Sequence, residues 1–130
     1  MRNLALACAV SIVALMASPA FAADAPSVVR QILMQKDVGN GQTLTLINET
    51  IPVGGREGLH THPGAVMVYV TSGTFTMTFE GKPTGTYKPG ETFFVEANQV
   101  HEGINMGKED IHAIAAFVTP NGQPLTVPKK

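Results

Sequence analysis

From Ser27 onward, Gly and Pro interrupt the chain so often that no apolar-periodic stretch long enough for an ordinary helix survives between them. The intervals are short, rich in β-branched residues and often alternating. Val28 to Lys36 reads as a strand, Asp37 to Gln42 with Gly39, Asn40 and Gly41 as a turn, and Thr43 to Val53 as the return of a hairpin-like entry. Val66 to Val70 is too short and too β-branched for a helix. After the Ser72-Gly73 turn, Thr74 to Phe79 alternates strictly, with threonines on one face and Phe75, Met77 and Phe79 on the other. Gly81-Lys82-Pro83 turns again, Thr84 to Lys88 is short, and Pro89-Gly90 punctuates the chain. Thr92 to Val95 then leads to the segment holding His101, and Ile111 to Val118 closes the series. The tail from Pro120 to Lys130, with Pro124 and Pro128, is expected to run as an extended arm or edge segment. Many short strands at close spacing predict an all-β sandwich or barrel.

The first residues read differently. Met1-Arg2-Asn3 is a short positive start, Leu4 to Met16 is apolar, and Ala20-Phe21-Ala22 is a small-x-small cleavage site, so residues 1–22 are expected to be a signal peptide. The apolar run is shorter than the roughly 20 residues that cross a bilayer, and no comparable run follows. The expectation is a periplasmic or secreted protein starting at Ala23, with no membrane association after cleavage. Cys8, the one cysteine of the chain, lies inside this leader and too early for a lipoprotein-type anchor. The remaining 23–130 therefore cannot form a disulfide or offer a thiolate nucleophile or ligand. A length of 130 residues with 44% apolar content suits one packed domain, and a formal charge of -1 without Lys/Arg runs excludes a nucleic-acid surface.

Chemistry concentrates in Gly54-Gly55-Arg56-Glu57-Gly58-Leu59-His60-Thr61-His62-Pro63-Gly64. In extended chain, residues i and i+2 share a face, so His60 and His62 can converge on one ion at about 2.0–2.1 Å. His101 is the third candidate, if sheet closure returns it. Each has a plain alternative, the first two as solvated turn residues and His101 as a core histidine bonded to backbone. His112, which shares a face with Ile114, Ala116 and Val118, reads as a surface or satisfied histidine. Asn105 is expected to fix the turn after His101 by bonding backbone. Phe75, Met77, Phe79, Phe93, Phe94 and Phe117 read as core or interface packing, and nothing in the sequence places Tyr69 or Tyr87 at a pocket.

These residues resemble the cupin family. Its first motif runs glycine, five residues, His-x-His, three or four residues, Glu, six residues, Gly; Gly54, His60, His62 and Gly73 fit it, with Val66 where the glutamate falls. Its second runs glycine, five residues, Pro-x-Gly, two residues, His, three residues, Asn; Gly90, His101 and Asn105 fit, with Glu96 and Asn98 replacing the proline and glycine. The resemblance implies a single jelly-roll β-barrel over 23–130, with a divalent transition metal (Fe, Zn, Ni, Cu or Mn) held inside by His60, His62 and His101. The fourth ligand does not carry over, because Val66 has no lone pair. Three neutral imidazoles would leave the ion's charge uncompensated and a further position open. Glu57 and Glu102 are the nearest carboxylates, but each is an odd number of residues from its neighbouring histidine and points away in regular strand.

Two function classes follow. One is a metal-dependent enzyme on a small organic substrate, an oxygenase in the manner of three-histidine cupin-like dioxygenases, or a hydrolase or isomerase. The other is a non-catalytic module that binds a metal or small ligand, since folds do not fix function. The sequence names no general base. The apolar segment Val28 to Met34 and the tail suggest a homodimer formed through barrel edges.

Overall fold

The computed structural model describes residues 24–130, and the expected leader lies outside the described residues. Ten strands follow in order: β1 (Val29–Gly39), β2 (Gln42–Ile51), β3 (His60–Thr61), β4 (Ala65–Ser72), β5 (Phe75–Phe79), β6 (Lys82–Tyr87), β7 (Thr92–Val95), β8 (His101–Ile104), β9 (Ile111–Pro120) and β10 (Val127–Pro128). They form two five-stranded sheets, β1-β2-β9-β4-β7 and β10-β3-β8-β5-β6. Every pairing is antiparallel. The chain switches sheets repeatedly, from β2 to β3, β3 to β4 and β4 to β5, and so builds a jelly roll whose inner faces enclose the core.

The entry hairpin closes on Asn40-Gly41, both with positive φ (54° and 70°), between the paired Gly39 and Gln42. Two left-handed residues give the turn whose twist matches paired strands, and Asn and Gly adopt that conformation at least cost. Within β2 the alternation buries Thr45, Ile47, Glu49 and Ile51. The same period buries Val66, Val68 and Val70 on β4, Phe75 and Met77 on β5, Phe93 and Val95 on β7, and Ile111, Ala113, Ala115 and Phe117 on β9. Phe79 and Tyr87 pack at the edge of this cluster, whereas Phe94 faces outward on β7. The tail does run along an edge, since β10 pairs β3, with Val127 opposite Thr61.

Strand β1 is exposed along its whole length, although it pairs with β2 throughout. Its register shifts between Ile32 and Met34, and Ile32, Leu33, Met34 and Val38 stand in solvent. Its Arg30 nevertheless lines the same interior cavity as His62 and His101.

Candidate metal centre

His60 and His101 are cross-strand partners on β3 and β8, which brings the downstream histidine back to the pair. All three imidazoles are buried, and their ring centroids lie 4.2 to 4.8 Å apart. Their possible ligand atoms all fall within 4.8 Å of one another, an arrangement that can hold a metal ion.

The backbone decides which nitrogen faces inward. His60 Nδ1 lies 2.7 Å from the Gly58 carbonyl, His62 Nδ1 2.7 Å from the Leu125 carbonyl, and His101 Nδ1 2.8 Å from the Gln99 carbonyl. A carbonyl only accepts, so each Nδ1 carries the proton and donates, and each neutral ring presents an unprotonated Nε2 to the centre. Burial, ahead of the repulsion from His101 and His60, pushes the His62 pKa down to about 4 despite the Leu125 bond. Burial likewise lowers that of His101, with repulsion from His60 adding to it. His62 and His101 therefore stay neutral near pH 7, the state a metal requires.

Two unprotonated nitrogens in contact repel. His62 Nε2 and His101 Nε2 are nonetheless 3.1 Å apart, and His60 Nε2 is buried without any hydrogen-bond partner. At a metal–nitrogen distance of about 2.0–2.1 Å, nitrogens 3.1 Å apart would subtend about 95–102° at an ion between them. That angle lies between octahedral and tetrahedral values, so the donor set fits a divalent transition metal.

A cavity of about 20 Å³ adjoins His62 and His101, lined also by Val66, Phe117, Glu57, Glu49 and Arg30. It has room for about one water-sized guest. Val66 does look into the interior beside the histidines, and it is 2% exposed. Glu102 points away as strand parity requires, into a two-pronged ion pair with Arg56 at 2.6 Å per contact. Those bonds, followed by the Arg56 charge, lower its pKa against burial.

Glu57 departs from strand parity. It precedes His60 in the irregular segment between β2 and β3, where its N–H donates to the Gly103 carbonyl (2.9 Å), and its side chain turns into the cavity. Gly103 returns an N–H to Glu57 Oε2 at 2.7 Å, and a Cβ at position 103 would collide with that oxygen. Arg30 completes the group, with Nη2 2.6 Å from Glu57 and Nε 2.6 Å from Glu49. One cation faces two buried carboxyls, so one of them holds a proton. Burial first, then the Glu57 charge, raises the Glu49 pKa to about 8. Burial acts the same way on Glu57, but His60, Arg30 and hydrogen bonding with Glu49 outweigh it and hold its pKa low.

Arg30 and Glu49 were absent from the sequence reading. For Glu49 a signal existed, since it shares parity with Ile47 and Ile51 and therefore faces the core; nothing local marks Arg30. The remaining residues lie where the sequence suggested. Asn105 Nδ2 bonds the Ile51 and Glu109 carbonyls, and its Oδ1 accepts from Gly107 N–H, so it ties the turn after β8. His112 is exposed and 3.0 Å from Thr50 Oγ1, Tyr69 is exposed, and Tyr87 packs on Phe93 rather than at the histidines.

The fold has many solved counterparts. A cupin-like protein from Thermotoga maritima is 22% identical, with a TM-score of 0.67 over 78% of this chain and 75% of that one. The DMSP lyase DddQ from Ruegeria pomeroyi is 17% identical, with a TM-score of 0.66 over 78% of this chain but 51% of its own. An RmlC-like cupin from Shewanella frigidimarina is 19% identical, with a TM-score of 0.54 over 68% of this chain and 86% of that one. At such identities the likeness is one of fold. No curated protein matches the chain. The model of the cupin domain, however, matches residues 48–117, more than half of the chain and all three clustered histidines, and the chain belongs to the cupin family.

Proposed function

We propose that His60, His62 and His101 bind one divalent transition metal ion, and that the ion and its adjoining cavity act on a small organic molecule as a metal-dependent enzyme of the oxygenase type. The observation that carries this reading is the inward set of three Nε2 lone pairs, two of them 3.1 Å apart, with each Nδ1 committed to a backbone carbonyl. A cation at their centre removes the repulsion. Three neutral ligands leave coordination positions for water, dioxygen or substrate, and the bound metal supplies Lewis acidity or redox chemistry there. The protein's part is to hold the rings, exclude bulk water with Val66, Phe75, Phe93 and Phe117, and offer Glu49 as a proton-carrying group in the same wall. A protein of this fold, DddQ from Ruegeria pomeroyi, is a DMSP lyase, which adds elimination to the reactions to be screened.

The small cavity favours a second reading, a non-catalytic module that binds a metal or a small ligand, since about 20 Å³ admits little beyond a water-sized guest until the wall moves. The leader-like residues support export, with function in the periplasm or outside the cell, and the exposed apolar strand β1 supports a homodimer. Metal analysis of protein recovered from the periplasm, followed by oxygen-uptake screening of the Fe(II) form, tests the first reading. A metal-loaded protein inert toward dioxygen and small substrates favours the module. Protein without any metal that takes up none of Fe, Mn, Co, Ni, Cu or Zn refutes the first reading and the metal-binding form of the second.

A further inference from the structure

The cavity holds a charge arrangement that the three histidines do not account for. Val66 fills the position from which the family's carboxylate would reach the ion, so a divalent ion on three neutral rings would sit uncompensated in a largely apolar wall. The same wall holds two carboxyls for one guanidinium. Arg30 grips them through different atoms, Nε to Glu49 and Nη2 to Glu57. Glu57 can therefore leave while Glu49 stays paired.

Resting on the three-histidine reading, we propose that Glu57 is the metal centre's carboxylate ligand, held in reserve by Arg30 and Gly103 and delivered to the ion from the segment before His60 rather than from position 66. Glu57 lies three residues before the first histidine, in the irregular segment that leads into β3, and lines the same cavity as His62 and His101. In the present arrangement its oxygens face Arg30 and Gly103 N–H, outside the cluster of ligand atoms. On metal binding Glu57 gives up those two bonds, Arg30 retains Glu49, and the carboxylate takes one open position on the ion. The net charge of the ion together with its ligands falls from 2+ to 1+.

This role differs from outer-shell support. An outer-shell partner acts by holding a ring, but here every Nδ1 is held by a backbone carbonyl and none by Glu57. A carboxylate ligand matters more to a hard ion than to a borderline one, so Glu57→Gln is expected to weaken Mn(II) about tenfold or more while lowering Zn(II) much less. Adding Val66→Glu to that variant restores a carboxylate from position 66 in the same cavity wall, and Mn(II) affinity recovers. Arg30→Met removes the latch and tightens Mn(II) in an otherwise native chain, a result that does not depend on Glu57→Gln folding.

The test is competitive titration of wild type, Glu57→Gln, Glu57→Gln/Val66→Glu, Arg30→Met and His62→Ala with Mn(II) and Zn(II), alongside the visible spectrum of the Co(II) forms. Selective loss of Mn(II), its recovery in the double variant, gain in Arg30→Met and an altered Co(II) band in Glu57→Gln support the proposal. Equal loss of both ions, no recovery, or no gain in Arg30→Met overturns it. If His62→Ala binds both ions like wild type, the three-histidine reading itself falls and takes this proposal with it.

Discussion

His62 and His101, 39 residues apart in the chain, bring their Nε2 atoms to 3.1 Å in the interior of the barrel. The contact exists because β3 and β8 are neighbours, and because the Leu125 and Gln99 carbonyls take the other ring nitrogens. Without a cation it is repulsive; with one, both lone pairs would face the ion.

Removing that contact should remove the metal. The His60→Ala, His62→Ala double variant is expected to lose essentially all of the roughly one ion per chain that the site would bind, because one imidazole cannot hold it alone. Metal content after gel filtration, measured beside wild type, checks this; retention at the wild-type level contradicts it.

Val66→Glu should have opposite effects with and without metal. Its side chain is buried beside the histidines, so a carboxylate there lacks a partner in the metal-free protein and should cost about 1–3 kcal/mol or more. Mn(II) should restore the melting temperature and bind more tightly than in wild type. A loss of stability that Mn(II) does not relieve would place residue 66 away from the ion.

Glu49 makes the stability of the metal-free protein fall with pH. Its folded pKa of about 8 lies above the unfolded carboxylate value of 4.5, so the folded state binds more protons between those values and is progressively disfavoured as pH rises toward 8. His62, lowered from 6.5 to about 4, acts in the opposite sense, and its contribution is complete above pH 6.5 and lost as pH falls toward 4. Between about pH 6.5 and 8 the Glu49 effect therefore stands alone. Thermal melts over that range should show a declining midpoint in wild type and a flatter one in Glu49→Gln.

The exposed strand β1 should mediate self-association. Ile32, Leu33 and Met34 are 58%, 48% and 48% exposed on the strand that ends its sheet among the described residues, a surface that a second copy can cover. Sedimentation at micromolar concentration should give a dimer that Ile32→Lys/Met34→Lys dissociates, and a wild-type monomer would exclude it.

Much of this protein was legible from local pattern. Alternation across Thr74 to Phe79 gave the inward row Phe75 and Met77, and the Gly39-Asn40-Gly41 run fixed the first hairpin. The motif spacing singled out the three histidines, because side-chain period and turn chemistry are properties of a few consecutive residues. Parity also identified Val66 and Glu102, which lie in or beside regular strand. It failed for Glu57, which lies in an irregular segment where the period of two does not hold. The Arg30–Glu49–Glu57 group belongs to tertiary structure alone. Its members meet because β1, β2 and the segment before β3 converge on one cavity, and burial there leaves two carboxyls to share one cation. The sequence determines which residues can face inward; only the closure of one sheet over the other decides which of them share a dielectric poor enough for their charges to matter.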